Sequence, residues 1–351
     1  MAAAPARAAA GAACHRRAVS RFELRVGNPI VALALVLVAV LLALGAGWWL
    51  ARESAPLEPL PSATRAASSG TPSAAGTPSA TSTGQTPSSS PSKARRPGPV
   101  FVIVLENKEA EQIVGNPAAP YFNGLAASYG LATNYHGIAH PSQPNYLALW
   151  SGSTQGVVDD GVHDLGAPTV ADQLEAAGDS WHVYAEHVPG GCYRGATASG
   201  GRDGPGTYAR KHEPAISFVA ISRDAARCAR ISDLSSFAAN AADLELIVPD
   251  LCHDMHDCSI AAGDAWLRGF VPRILDSAAW RDGGLLVITF DEGGVQNQVA
   301  TLVIRPGMPA GQRSNVAHDH YGLLRTIEDR FGLSCLARAC SARPLSEFLG
   351  T

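Results

Sequence analysis

The 351-residue chain lacks the surplus of basic residues that a nucleic-acid partner calls for. Its 27 Lys and Arg stand against 31 Asp and Glu, a formal net charge of −4, and they form no basic stripe. Nor does any cysteine pair show Cys-x-x-Cys spacing, which argues against a cysteine-based metal centre. Large apolar side chains are nearly missing from residues 52–98, where Ser, Thr, Pro, Ala and Gly prevail. Such a stretch cannot bury enough surface to offset the entropy of ordering, and it reads as a disordered tether.

Charge is missing altogether from Pro29 to Ala51. This run of about 23 residues is long enough to cross a bilayer as one helix. Arg16, Arg17, Arg21 and Arg25 precede it and Trp48 and Trp49 close it, so residues 1–28 are expected in the cytoplasm and the remainder outside. An uncleaved signal anchor at 29–51 is expected rather than a signal peptide, because the run exceeds a usual h-region and no A-x-A site follows directly. Release by proteolysis in the tether stays open.

Residues 99–351 then form one outer domain. Cys14 falls on the cytoplasmic side and the six other cysteines outside, where disulfides are the default. Proximity pairs Cys192 with Cys228, Cys252 with Cys258 and Cys335 with Cys340.

Four apolar runs read as strands: Pro99–Leu105, Trp181–Ala185, Leu244–Val248 and Leu285–Phe290. They run into Glu106-Asn107, Glu186-His187, Pro249-Asp250 and Asp291-Glu292. Helical stretches lie between them, at Tyr121–Tyr129, Val170–Ala177 and Ile260–Ile274, and His320, Leu324, Ile327 and Phe331 recur at helical spacing. Strands alternating with helices imply an α/β fold with a mostly parallel central sheet, and ligands in such sheets bind beyond the carboxyl ends of the strands. One Asp there is ordinary turn chemistry. Neighbouring carboxylates, however, repel unless a proton or cation holds them, so acids gathered with Asn and His have the composition of a hard-metal site. Asp254-Met255-His256-Asp257 and His318-Asp319-His320 add two further clusters, each able to pair a ligating His with a carboxylate.

His140-Pro141-Ser142-Gln143-Pro144-Asn145-Tyr146 sets a serine just ahead of a helix start. Ser142 suits the cap and Pro144 the first turn, and the orphan amides behind them favour an anion. A serine there is placed either to cap or to attack phosphate.

Taken in order, Glu-Asn, His-Pro-Ser-x-Pro-Asn-Tyr, Lys211-His212, Asp-Met-His-Asp, Asp-Glu and the final His-Tyr resemble the bacterial phosphoesterase family of secreted acid phosphatases and phospholipases C. The resemblance spans about Pro99 to Leu333 and implies an alkaline-phosphatase-like fold. Tyr208–His212 and Gly263–Leu267 look like the short acid phosphatases, mycobacterial members acting on phosphatidylinositol 3-phosphate included.

It implies a divalent metal ion on Glu106, Asn107, Asp291 and Glu292, with Ser142 as nucleophile. Asn145, Lys211 and His212 would bind phosphate oxygens. His140 would orient the serine, His256 or His320 would protonate the leaving group, and Asp254 and Asp257 match further positions of the pattern. Gly293-Gly294 departs from it, where further acids are expected.

The expected activity is that of a phosphoric ester hydrolase, an acid phosphatase working through a phosphoserine on small-molecule or lipid head-group monoesters, as a monomer. The alternatives are a phospholipase C-type diesterase, whose members are generally larger, and an inactive tethered binding protein, which would have lost at least one of these residues.

Overall fold

A computed structural model describes residues 97–190, 192–199 and 206–350. The expected cytoplasmic segment with Cys14, the anchor and all of the tether but its last two residues lie outside them. Among the described residues no helix is long and apolar enough to cross a membrane.

The strands are β1 (Val100–Leu105), β2 (Gly130–His136), β3 (Trp181–Ala185), β4 (Thr197–Ser199), β5 (Thr207–Ala209), β6 (Ile231–Asp233), β7 (Leu244–Val248), β8 (Leu285–Phe290), β9 (Gln298–Ile304), β10 (Gln312–Ser314) and β11 (His318–Asp319). The main sheet runs β10-β2-β9-β8-β1-β7-β3-β6, with β11 also on β2, while β4 and β5 form a separate antiparallel pair. Only β9 runs against its neighbours in the main sheet; every other pairing there is parallel. Every residue of β1, β7 and β8 is buried, as Val/Ile/Leu-rich central strands covered on both faces must be.

Among the described residues five helices have eight residues or more: α1 (Pro120–Ser128), α2 (Gln143–Ser151), α3 (Val170–Ala177), α4 (Ile260–Leu275) and α5 (His320–Phe331). They gather in two groups, α1 with α4 and α2 with α3 and α5, and flank the sheet. The buried Asp264 of α4 accepts the amides of Tyr121 (3.0 Å) and Phe122 (2.8 Å), so a carboxylate from another helix serves the orphan donors of α1.

Because the strands share a direction, the ends of β1, β8, β7 and β3 all face one edge. Loops there are pinned by short-range bonds, and all three expected disulfides are formed.

Candidate active site

Ser142 takes the N-cap position of α2, yet its hydroxyl makes no bond to the helix. Instead the buried Oγ donates to Glu106 Oε2 at 2.9 Å and lies 3.5 Å from Glu292 Oε1. The capping alternative is thereby set aside. Tyr146, one turn on, donates its hydroxyl to the other oxygen of Glu106, and His140 Nδ1 pairs with Glu292 Oε2. Asn107, in the left-handed region at φ 56°, turns the chain out of β1 so that its amide meets Asp291 Oδ1 at 3.1 Å.

His212 is buried between two acids, with Nε2 3.2 Å from Glu106 Oε2 and Nδ1 3.2 Å from Asp254 Oδ2, and its ring stacks on Tyr146. Burial opposes its charge, but the two carboxylates outweigh that and push its pKa up to about 10. Burial would likewise raise Glu106, but His212 and the hydroxyl donors hold it below its ordinary value. Asp291 goes the other way, well above the carboxylate range, through burial and the charge of Glu106. Burial also raises Asp254, to about 6.

Lys211 Nζ donates to Asp160 Oδ2 at 3.0 Å and lies 3.3 Å from His256 Nε2, while His256 Nδ1 faces Asp257 Oδ1 at 2.7 Å. Burial disfavours the Lys211 charge, and Asp160 more than restores it. Glu106, His212 and His256 each bring one ligand atom within 4.8 Å of the others. His212 Nε2, Asp254 Oδ2 and Asp291 Oδ2 are buried polar atoms without a hydrogen-bond partner. Orphaned O and N atoms among mutually repelling carboxylates fit a divalent metal ion.

Three expectations meet a different geometry. Asn145, expected on a phosphate oxygen, has its amide spent on the preceding loop: Oδ1 accepts from Ile138 and Ala139, and Nδ2 donates to the carbonyls of Ala139 and Pro141. It braces the approach to Ser142. His320 is fully buried, with Nδ1 on the Tyr135 hydroxyl and Nε2 on the Asp291 carbonyl at 2.5 Å, and is thus out of reach of a leaving group that the partly exposed His256 can meet. Burial lowers its pKa, and it anchors the end of β8. Its neighbours are structural too, since Asp319 caps α5 and His318 pairs with Glu347.

The departure at Gly293-Gly294 also has a cause. A Cβ at Gly293 would come within 2.9 Å of the Glu109 carboxyl, which accepts the amides of Gln296, Asn297 and Gln298. Glu109 fills the space where further acids were expected. Tyr146 closes the serine motif without an expected role of its own, and nothing in the sequence marks out Asp160.

The α/β fold is shared with a protein of the alkaline phosphatase superfamily from Vibrio parahaemolyticus. The two superpose with a TM-score of 0.51 at 11% identity, covering 72% of this chain and 70% of that one, a likeness of fold alone. The model of the Phosphoesterase family matches residues 115–334, and the chain belongs to that family. A phosphatidylinositol-3-phosphatase of Mycobacterium tuberculosis is 32% identical over 259 residues, 72% of this chain and 82% of the relative. An acid phosphatase of Aspergillus fumigatus is 28% identical over 251 residues, 68% of this chain. The match spans only 56% of that fungal protein.

Proposed function

We propose that the chain is an extracytoplasmic acid phosphatase that hydrolyses phosphate monoesters through a phosphoserine on Ser142. The observation that carries this reading is the Ser142 hydroxyl turned away from its own helix and onto Glu106. Oγ, oriented by its bond to Glu106, loses its proton to solvent and attacks phosphorus, while the ester P–O bond breaks and the leaving oxygen takes a proton from His256. Water then attacks the phosphoserine as His256 takes one of its protons; the P–Oγ bond breaks and Ser142 regains a proton from solvent. Lys211, held by Asp160, supplies positive charge for the phosphoryl oxygens.

Glu106, Asn107, Asp291 and Glu292 would hold a divalent ion, with His212 and His256 adjoining. When bound, it would offset the charge of the dianionic ester and acidify the serine hydroxyl. The mycobacterial relative supports phosphoinositide head groups as a substrate class. Three disulfides support an oxidising compartment, consistent with an anchor at 29–51 and an outer domain at 99–351 joined by the tether.

The test is hydrolysis of p-nitrophenyl phosphate by the full-length protein across about pH 4 to 9, with and without chelator, beside Ser142→Ala. Turnover that depends on both Ser142 and divalent metal is the expected result. Wild-type activity in Ser142→Ala overturns the nucleophile. Turnover of phosphatidylcholine with none of the monoester makes the enzyme a diesterase.

A further inference from the structure

A second group of metal-ligating side chains lies beyond the ends of β3 and β7, apart from the serine. These strands pair in parallel with Ala185 opposite Val248, so Glu186-His187 and Asp250 emerge side by side. His253 joins them from the following loop. Its Nδ1 is 2.8 Å from Glu186 Oε2 and 3.4 Å from Asp250 Oδ2, and His187 Nε2 is 3.1 Å from the same Asp250 oxygen.

We propose that Glu186, Asp250 and His253, with His187 beside them, form a second divalent-metal site of zinc type. A tetrahedron with metal–ligand bonds of about 2.0–2.1 Å has edges of about 3.3 Å. The His253–Asp250 separation of 3.4 Å matches it, the His253–Glu186 pair at 2.8 Å is a hydrogen bond that an ion would replace, and one atom from each of Glu186, Asp250 and His253 lies within 4.8 Å of the others. The division of labour in Asp250 points the same way. Its Oδ1 accepts the amides of Cys252 and His253, both at 2.8 Å, which fixes the loop and leaves Oδ2 to the two imidazoles.

The Cys252–Cys258 disulfide ties that loop, and Trp266 stacks on the His253 ring. The wall opposite is Gly206, where a Cβ would sit 2.7 Å from Asp250 Oδ2 and 3.4 Å from His187 Nε2. Two carboxylates facing imidazole nitrogens favour zinc over magnesium or calcium, which require mostly oxygen. Asp250 is buried while His253 and His187 are partly exposed, so an ion has a way in. The loop thus clamped is the one that carries Asp254 and His256, which makes the ion a structural support for the serine site.

The test is metal stoichiometry, which does not depend on the proposed activity. Tag-free full-length protein is stripped with chelator, desalted, equilibrated with Zn²⁺ alone and assayed for bound zinc. Glu186→Gln and His253→Gln are each expected to bind one equivalent fewer than wild type, whereas Asp291→Asn retains the equivalent that depends on His253.

Unchanged stoichiometry in both Glu186→Gln and His253→Gln overturns the proposal and leaves an ion-pair network. A thermal melt checks that each variant is folded. Should both fail to fold, Co²⁺ replaces zinc in Asp291→Asn, and the lack of visible absorption from an imidazole-ligated ion overturns it.

Discussion

At the scale of single residues, the site is organised around one buried carboxylate. Glu106 takes a proton donor on each oxygen, from Ser142 and Tyr146, with His212 alongside. Tyr146→Phe removes one hydrogen bond to a charged group, about 1.5–3 kcal/mol, so kcat/KM should fall roughly 10- to 100-fold. The ring that stacks on His212 remains, so the fold should persist, with Tm lowered by several degrees through the same lost bond. Wild-type kinetics in this variant would mean that the orientation of Glu106 does not matter to catalysis. Lys211→Met removes the charge proposed to face the phosphoryl oxygens rather than a part of the core. KM for a monoester and the inhibition constant of inorganic phosphate should both rise about tenfold, with kcat less affected. If neither changes, Lys211 serves only its ion pair with Asp160.

At the scale of elements, loops carry the chemistry and disulfides set how far they stray. Cys252–Cys258 spans 6 positions and Cys192–Cys228 spans 36, so chain entropy assigns them about 2 and about 4 kcal/mol. Stability and activity should therefore separate. Replacing the longer bridge with serines should lower Tm more, whereas replacing the shorter one should cost more kcat/KM because the loop bearing Asp254 and His256 is freed; the opposite ranking would refute this division.

The same contrast explains what could be read beforehand. β1, β3, β7 and β8 were legible because strands buried on both faces must be continuous apolar runs, and the acids following them placed the edge where the site lies. β2 was not, since Thr133 and Asn134 break its pattern where it bends at a register shift against β9. The reversal of β9 is a matter of pairing, which no run of residues encodes. Around the site, Ser142, Glu106 and His212 stood out as chemistry-bearing residue types at punctuated positions. Asn145 and His320 stood out equally, and only their partners reveal that they brace and anchor.

At the scale of the whole molecule, buried acids away from the serine set how stability follows pH. Glu213 and Glu245 are fully buried, and burial outweighs their backbone donors to raise their pKa values to about 7 and about 8 from an ordinary 4.5. A carboxyl raised in the folded state contributes stability that is complete below its unfolded pKa and is lost as pH climbs through the folded value. Asp233 and Glu347 work in reverse: burial opposes them, but their hydrogen bonds prevail and lower their pKa values, so their contribution is lost only as pH falls through those depressed values. The two sets together place the stability maximum at mildly acid pH. Thermal melts of chelator-treated protein should give a higher Tm at about pH 5 than at about pH 8, with the loss spread across the interval between. Glu245→Gln keeps an oxygen for the amides of Ala241 and Ala242 but cannot ionise. It should match wild type at about pH 4.5 and exceed it at about pH 8. A Tm that rises from acid to neutral in wild type, or a Glu245→Gln offset that does not depend on pH, would show that these acids are hydrated and charged in the fold rather than held neutral by burial.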